Sequence, residues 1–339
     1  MSRMKWHCSF AAALIALSAI WLDGCAPRGA DVLSVDLSED LRLEIEFHGK
    51  RAAKDMQSLG ISTESLVERI ELVDPVEGDV LGRLNDSEVG ELVPAGPVAD
   101  TLSDLLSYSG QCFGAFDPTL QILWDVYDFE LGGRRVRQGE VEDALTWVDY
   151  SLVEMDGDSI LRKREHVRAG FGPTLPGAVV DWVAQMVERN ELSGVSVAVN
   201  GSFNYLGERG NESHVYELRY PIDAESADVL QLTLGHLRLE PGEYLAALDD
   251  DEKRFIAGGE MQHMILDPIS GRPVRSVRAA LVVSKESCLQ ASVFAYAVMV
   301  MGPDRGLEFL DEMDGVEGLL VTEEHDVRVS GGLGDRFWR

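Results

Sequence analysis

Residues 263–273 read His-Met-Ile-Leu-Asp-Pro-Ile-Ser-Gly-Arg-Pro. Asp-Pro followed by Ser-Gly is typical of turns, so this stretch predicts a turn between two extended segments. His263 and Asp267 can face one site from the strand end and its turn. An imidazole beside a carboxylate is suited to proton transfer to or from a phosphate ester. A turn with a purely structural histidine is the alternative interpretation.

A second stretch, residues 114–120, reads Gly-Ala-Phe-Asp-Pro-Thr-Leu. Asp117 is a natural N-cap and Pro118 fits the first helical position, so the stretch predicts a helix start. The same terminus could offer free N–H groups to a ligand phosphate, with Thr119 as an additional hydroxyl donor. Both interpretations remain open at this point.

A third stretch, residues 170–177, reads Gly-Phe-Gly-Pro-Thr-Leu-Pro-Gly and opens a helix that contains Asp181 and Trp182. A glycine-rich loop before a helix is the usual form of a phosphate cradle. Two of its residues are proline, which has no N–H to donate. The sequence therefore predicts an impaired cradle or an ordinary helix entry.

The periodicity of the remaining chain indicates both strands and helices. Leu41–Phe47 alternates apolar with polar residues, as a half-buried strand does. Further strands are predicted at 195–199, 230–239, 264–266 and 279–283. Helical spacing is found at 59–72, 98–108, 179–187 and 288–301, the last ending at Gly302-Pro303. The two element types do not alternate regularly, which favours a mixed α+β fold in one functional unit, possibly of two lobes.

The composition is that of a folded globular protein, with 45% hydrophobic and 26% charged residues among 339. Acidic residues outnumber basic ones by 59 to 30, and the formal net charge is −29. Such a surface repels a nucleic-acid backbone, so we expect no nucleic-acid partner. It also disfavours adsorption of the domain itself to anionic lipid headgroups.

The N-terminus has the layout of a secretory signal. Arg3 and Lys5 precede an apolar run over residues 10–22, and Leu-Asp-Gly-Cys then ends at Cys25. This ending resembles a bacterial lipobox, in which the cysteine is acylated. We predict a signal peptide over 1–24, a lipid-anchored tether over 25–31 and a domain over 32–339. Plain cleavage or an uncleaved anchor is the alternative, and each implies an exported protein on a periplasmic or cell surface.

Two further cysteines, Cys112 and Cys288, lie in the predicted domain. They could pair in an oxidising compartment, but Cys288 stands in an apolar helical stretch, where a free buried thiol is the simpler interpretation. The sequence has no CxxC motif and no Cys/His cluster with zinc spacing.

Taken in order, these stretches resemble the ApbE-type flavin transferases, which attach the FMN part of FAD to a Thr or Ser of a target protein. The match begins at Arg83-Leu84-Asn85, continues through residues 114–119 and ends with residues 263–273, where Ser270 replaces a threonine. The resemblance implies one domain of largely antiparallel sheets packed with helices, with FAD as ligand and an exported target as partner. It places His263 and Asp267 near the reacting phosphates. The residues that it implies at the flavin are Asn85, Phe116, Asp117, Thr119, Gly201 and Ser202.

Departures from the family pattern fall on its phosphate and metal positions. Residues 170–177 lack the family's acidic residue and lysine, and Asn-Gly-Ser at 200–202 replaces Gly-Gly-Asp. Ser292 and Tyr296 stand where the family has an Asp and a Thr that hold magnesium. A hydroxyl and a phenol are poor ligands for this ion, so the sequence predicts weak or no magnesium binding unless Asp181 or Glu286 substitutes.

Two functions follow from the resemblance. One is a magnesium-dependent transfer of FMN from FAD to exported redox proteins. The other is a catalytically inactive relative that binds FAD or another nucleotide, or serves as a scaffold lipoprotein. Without the ion, little neutralises the charge that develops as the pyrophosphate breaks, which disfavours catalysis. The sequence leaves open whether the chain is an enzyme.

Overall fold

The computed structural model describes residues 21–24, 31–38, 40–48, 54, 63–200, 202–208, 210–221, 231–251 and 253–339. Its helices are α1 (Thr63–Leu72), α2 (Leu81–Asp86), α3 (Ala99–Gln111), α4 (Gln121–Tyr127), α5 (Gln138–Leu145), α6 (Leu175–Arg189), α7 (Cys288–Met301) and α8 (Pro303–Glu312). Its strands are β1 (Trp21–Gly24), β2 (Asp31–Asp36), β3 (Arg42–Phe47), β4 (Val93–Pro94), β5 (Val153–Asp156), β6 (Ser159–Arg162), β7 (Val195–Val199), β8 (Phe203–Leu206), β9 (His214–Pro221), β10 (Gln231–Leu239), β11 (Tyr244–Asp249), β12 (Phe255–Ala257), β13 (Glu260–Gln262), β14 (Val277–Ser284), β15 (Val316–Thr322), β16 (Val327–Val329) and β17 (Phe337–Trp338).

An eight-stranded antiparallel sheet forms the centre, in the order β16-β15-β14-β11-β8-β7-β3-β2. Its middle strands are apolar on both faces because both faces are covered. In β14, Leu281 and Val283 point to one core cluster while Ala280 and Val282 point to the other. This alternation follows from the two-residue period of a strand.

One face of the central sheet carries helices, and the other carries a smaller sheet of order β1-β9-β10-β17. Helix α7 packs on β14 and β11 and contacts α6, α8 and α3. Every residue of α7 from Cys288 to Met299 is buried, which explains an apolar sequence with no polar stripe. This buried helix presents Ser292 and Tyr296 to the elements around it.

Several predicted elements are confirmed. Helix α7 has the predicted bounds, β7 spans the predicted 195–199, and α3 and α6 begin within a few residues of their predicted starts. The mixed, largely antiparallel α+β class is also confirmed.

The strand predicted at 264–266 is wrong. The structure has only an isolated bridge between Leu266 and Pro273 at this place. The reason is that both backbone polar groups of Leu266 bond to a side chain, as described below. Among the described helices, none has the length and apolarity needed to cross a bilayer.

Candidate functional site

Two aromatic donors of α4 fix the 263–273 segment. The indole Nε1 of Trp124 donates to the Met264 carbonyl oxygen at 3.0 Å. The Tyr127 hydroxyl donates to the Gly271 carbonyl oxygen at 3.1 Å. The segment is therefore held to α4 at both of its ends.

Tyr296 of α7 fixes the middle of the same segment. Its hydroxyl donates to the Leu266 carbonyl oxygen at 2.7 Å and accepts from the Leu266 N–H at 2.8 Å. The ring is fully buried and meets Phe116 edge to face, with centroids 5.2 Å apart. Burial raises the pKa of Tyr296 well above its ordinary value, so the phenol stays protonated and keeps both bonds.

His263 lies at the start of the segment and is 1% exposed. Its Nε2 is 3.0 Å from the Val274 carbonyl oxygen, so Nε2 carries the proton that is donated there. The other nitrogen, Nδ1, is buried and has no partner among the described residues. Burial lowers the pKa of His263 to about 4. The ring is therefore neutral near pH 7, with one lone pair free to accept a proton.

The Asp267 carboxylate accepts hydrogen bonds from residues of the turn that it begins. One carboxylate oxygen accepts from the Ile269 N–H at 2.9 Å, and the other accepts from the Ser270 hydroxyl at 2.8 Å. Within the described structure, no hydrogen bond joins this carboxylate to His263. The two residues predicted to share proton transfer thus have separate partners, and their catalytic roles stay predictions.

Asp117 and Thr119 bond to each other and to a neighbouring turn. The Asp117 carboxylate accepts from the Thr119 N–H at 2.8 Å and from its hydroxyl at 2.5 Å. It also accepts from the Tyr150 N–H at 2.8 Å, while the Thr119 oxygen accepts from the Asp149 N–H at 2.8 Å. Burial raises the pKa of Asp117 to about 6. The predicted N-cap is confirmed, and these polar groups already have protein partners.

The remaining predicted flavin residues are buried or lie outside the described ranges. Asn85 pairs with both backbone groups of Ala169, at 3.0 Å to its oxygen and 2.8 Å from its N–H. Phe116 and Ser202 are fully buried, and the Ser202 carbonyl oxygen accepts from the Ala247 N–H at 2.9 Å. Gly201 and the predicted lipidation site Cys25 lie outside the described residues.

Side chains of α4 pack directly against the glycine-rich loop at residues 170–177. A side chain at Gly170 would collide with Gln121, and one at Gly172 would collide with the Trp124 ring. Gly172 also has a left-handed φ of +51°, which disfavours other residues. The glycines are thus accounted for by close packing against α4. The space above them is occupied by protein side chains.

Ser292 lies where helices α6 and α7 cross. Its hydroxyl donates to the Leu289 carbonyl oxygen at 2.9 Å. A Cβ at Gly177 would lie 2.5 Å from the Ser292 oxygen, so the two helices cross in direct contact. Ser292 is fully buried at this crossing.

The two carboxylates considered as substitute metal ligands bond elsewhere. Asp181 accepts from the N–H groups of Cys288 at 2.7 Å and Leu289 at 2.9 Å, and so caps α7. Glu286 accepts from the Tyr108 hydroxyl at 3.0 Å and from the Gln290 amide at 2.6 Å. Burial raises the pKa of Asp181 to about 7.

This donor set does not fit magnesium. The ion takes hard, preferably anionic oxygens in tight octahedral geometry. At the family's metal position the chain offers two neutral hydroxyls that already bond to backbone groups. Among the described residues, no group of three or more His, Cys, Asp or Glu side chains is placed to hold a metal ion. Cys112 and Cys288 are both free and buried.

Comparison with known proteins places this geometry in a family. The sequence profile of the ApbE family matches residues 62–320, which is more than half of the chain. The chain belongs to the ApbE family. The motifs at 114–119 and 263–273, which carry the resemblance to this family, meet at Tyr296 through Phe116 and Leu266.

Relatives and solved structures agree with this assignment. The chain is 22% identical to the FAD:protein FMN transferase of Vibrio cholerae, over 92% of this chain and 94% of the relative. It is 25% identical to the Escherichia coli K12 enzyme of the same name, over 73% of this chain and 71% of that one. The crystal structure of the ApbE protein of Thermotoga maritima has the same fold, with a TM-score of 0.74, 21% identity and coverage of 91% of this chain and all of that one. The apo flavinyl transferase ApbE of Pseudomonas stutzeri gives a TM-score of 0.71, again at 21% identity, and covers 91% of this chain and 96% of that one.

Sequence reasoning missed how the ApbE-family segment at 263–273 is held. Trp124 was visible one turn after the 114–120 stretch, but its partner Met264 is 140 residues away. Tyr127 follows Trp124 by three residues and lies on the same helix face, which is a signal that could have grouped the two donors. Neither position indicates its acceptor without the fold.

Proposed function

We propose that this chain is an ApbE-family protein that binds FAD without magnesium and has lost the metal-assisted transfer of FMN. Membership of the ApbE family supports FAD binding, and Tyr296 supports the loss of the metal. Its phenol satisfies both backbone groups of Leu266 from the helix position where the family has a metal ligand. A direct hydrogen-bonded link between α7 and the turn therefore stands in place of an ion.

The surrounding carboxylates support the same proposal. Asp117, Asp181 and Asp267 each accept two or more hydrogen bonds from neighbouring backbone or hydroxyl groups. Releasing any of them to a cation would leave those donors unpaired at a cost of about 1–3 kcal/mol each. The local structure thus opposes the rebuilding of a metal site.

FMN transfer to an exported protein is the second candidate, and the unpartnered Nδ1 of His263 favours it. In that reaction, an acceptor hydroxyl would give its proton to Nδ1 while its oxygen bonds to the FMN phosphorus. The bond from that phosphorus to the bridging oxygen of FAD would break, and AMP would leave with the electron pair. His263 is neutral near pH 7, so Nδ1 has a lone pair, but a pKa of about 4 makes that nitrogen a weak base and ranks this candidate second.

Incubation of the chain with FAD, in magnesium or in EDTA, separates the two candidates. Chromatography would measure FMN and AMP formed with water as acceptor, or flavinylated peptide and AMP formed with an added threonine peptide. We expect bound FAD to stay intact in both buffers. Magnesium-dependent formation of AMP that is lost in His263→Ala would instead establish the transferase.

We also infer that the protein is exported and anchored through a lipid on Cys25. The basic start, the apolar run and the lipobox-like ending at Cys25 support this inference. Cleavage before Cys25 would remove β1, which pairs with β9, and would leave β9 at the edge of the smaller sheet. Mass spectrometry of the N-terminal peptide from the native membrane fraction tests it. An unmodified Cys25 within an uncleaved chain would contradict the inference.

A further inference from the structure

A short basic run contrasts with the strongly acidic composition of the chain. Residues 162–168 read Arg-Lys-Arg-Glu-His-Val-Arg, so three arginines and one lysine accompany a single glutamate. The whole chain has a formal net charge of −29. None of the predicted flavin or catalytic residues lies in this run. Its local charge favours an anion.

Four residues of the run, Arg162, Glu165, His166 and Arg168, line one side of an open groove of about 760 Å³. The groove is also lined by residues 85–89, which include the predicted flavin residue Asn85, and by Ile122 of α4. Its volume is within the range of about 300–1,000 Å³ that is usual for sites of small ligands. We call this feature the 162–168 groove.

Arg162 is the fixed cation of the 162–168 groove. One of its terminal nitrogens donates to the Ser87 carbonyl oxygen, and the other donates to the Val167 carbonyl oxygen at 3.3 Å. Both partners are uncharged. The Nε–H is buried and has no acceptor in the described part of the chain. A buried donor without an acceptor is unfavourable, so an anionic oxygen bound at Nε would satisfy the hydrogen bond and the charge together.

Other side chains of the run are held in place nearby. Arg168 pairs through Nε with the Asp125 carboxylate at 2.6 Å. The His166 ring packs against the edge of Trp147, with centroids 5.0 Å apart, and Arg164 lies over the Trp147 ring at 4.8 Å. Their positions are set before any ligand arrives, which lowers the entropy cost of binding.

We propose that the 162–168 groove binds the phosphate group of a nucleoside 5′-phosphate. Three carboxylates, of Asp86, Glu88 and Glu165, also line it. They repel a bare anion, but they can accept hydrogen bonds from ribose hydroxyls. The mixture of charges therefore favours a phosphate ester of a nucleoside over inorganic phosphate. The choice of adenosine rests on the proposed function, because FAD carries an adenosine phosphate and AMP is its cleavage product.

Calorimetric titration of AMP into the full chain tests the groove, with Arg162→Lys as the diagnostic variant. Lysine keeps the charge but loses the Nε–H, so we expect AMP to bind about tenfold more weakly. Lys163→Gln is the matched control. Lys163 belongs to the same run but pairs with Glu154 at 2.6 Å, outside the groove, and we expect its loss to leave AMP affinity unchanged. Inorganic phosphate should bind more weakly than AMP.

Val89→Glu is a second variant that tests the groove if Arg162→Lys does not fold. Val89 lines the groove and is 48% exposed, so the added carboxylate should repel AMP without disturbing the core. A second titration with FAD present identifies the source of the phosphate, since competition assigns the groove to FAD and its absence assigns it to free nucleotide. AMP affinity that is unchanged in both variants, or no AMP binding, would overturn the proposal. If the chain binds AMP in this groove but does not bind FAD, the proposed function is overturned, while the proposal for the groove still stands.

Discussion

The phenol of Tyr296 joins α7 to the 263–273 segment through both backbone groups of Leu266. Replacing it with phenylalanine keeps the buried ring but leaves one N–H and one C=O unpaired. We expect Tyr296→Phe to lower the free energy of unfolding by about 2–4 kcal/mol, since each unpaired buried group costs about 1–3 kcal/mol. Urea denaturation measures the loss.

Tyr150→Phe is the control for that loss. The Tyr150 hydroxyl makes no hydrogen bond to the described residues, so its removal should change stability by less than about 0.5 kcal/mol. Equal, small losses in both variants would contradict the role given to Tyr296.

Asp181 gives the chain a pH response that can be assigned to one residue. Burial raises its pKa to about 7, whereas an unfolded chain has an aspartate pKa near 3.8. Between these values the folded chain binds a proton that the unfolded chain does not. The contribution of Asp181 to stability therefore grows as pH falls from about 7 toward 4, and it is lost as pH rises through 7.

Asp181→Asn should remove that part of the response. We expect the rise in melting temperature between pH 7.5 and pH 5.5 to be smaller in this variant than in the wild type. Asp143→Asn, at an exposed position of α5, should keep the wild-type response. If Asp181→Asn and the wild type show the same rise, the buried carboxyl is not its source.

At the scale of elements, the crossing of α6 and α7 depends on Gly177. A methyl group there would lie 2.5 Å from the Ser292 oxygen and 2.8 Å from the Cys288 carbonyl oxygen. We expect Gly177→Ala to destabilise the fold by about 1–3 kcal/mol because the helices must move apart. Thermal and urea unfolding provide the measurement.

Gly139→Ala provides the opposite case on another helix. Gly139 lies in α5, and nothing stands within 4 Å of an added Cβ. Alanine should stabilise this helix by up to about 1 kcal/mol. If Gly177→Ala and Gly139→Ala have the same free energy of unfolding, the helix crossing can accommodate a methyl group and the prediction is wrong.

The elements also show which parts of the fold a sequence can predict. The bounds of α7 follow from an apolar run between Ser287, whose side chain caps the helix, and Gly302-Pro303. The local sequence pattern is therefore enough to predict the bounds of α7. The strand expected at 264–266 failed because its backbone groups bond to Tyr296, which lies 30 residues further along the chain. No local signal contains that contact.

At the scale of the whole molecule, the sequence predicted a strand at 279–283 but not its burial on both faces. The structure shows that burial, and the apolar run without alternation from Ala279 to Val283 agrees with it. Which elements cover it depends on tertiary packing. The candidate site was found through its motifs, but the structure was needed to show that their polar groups already bond to one another.

The fold is shared with a flavinyl transferase at about one-fifth sequence identity, as the TM-score of 0.71 at 21% identity shows. Conservation of fold does not fix chemistry, because activity depends on the groups in the site. In this chain the groups at the metal position are neutral and hydrogen-bonded. We therefore propose that FAD binding in this chain does not depend on the ion.

Calorimetric titration of FAD into the purified chain, first in magnesium and then in EDTA, tests this claim most directly. We predict the same Kd in both buffers, because no step of binding passes through a metal. A Kd that rises tenfold or more in EDTA and returns when magnesium is restored would contradict the account, since it would require a metal site that includes FAD.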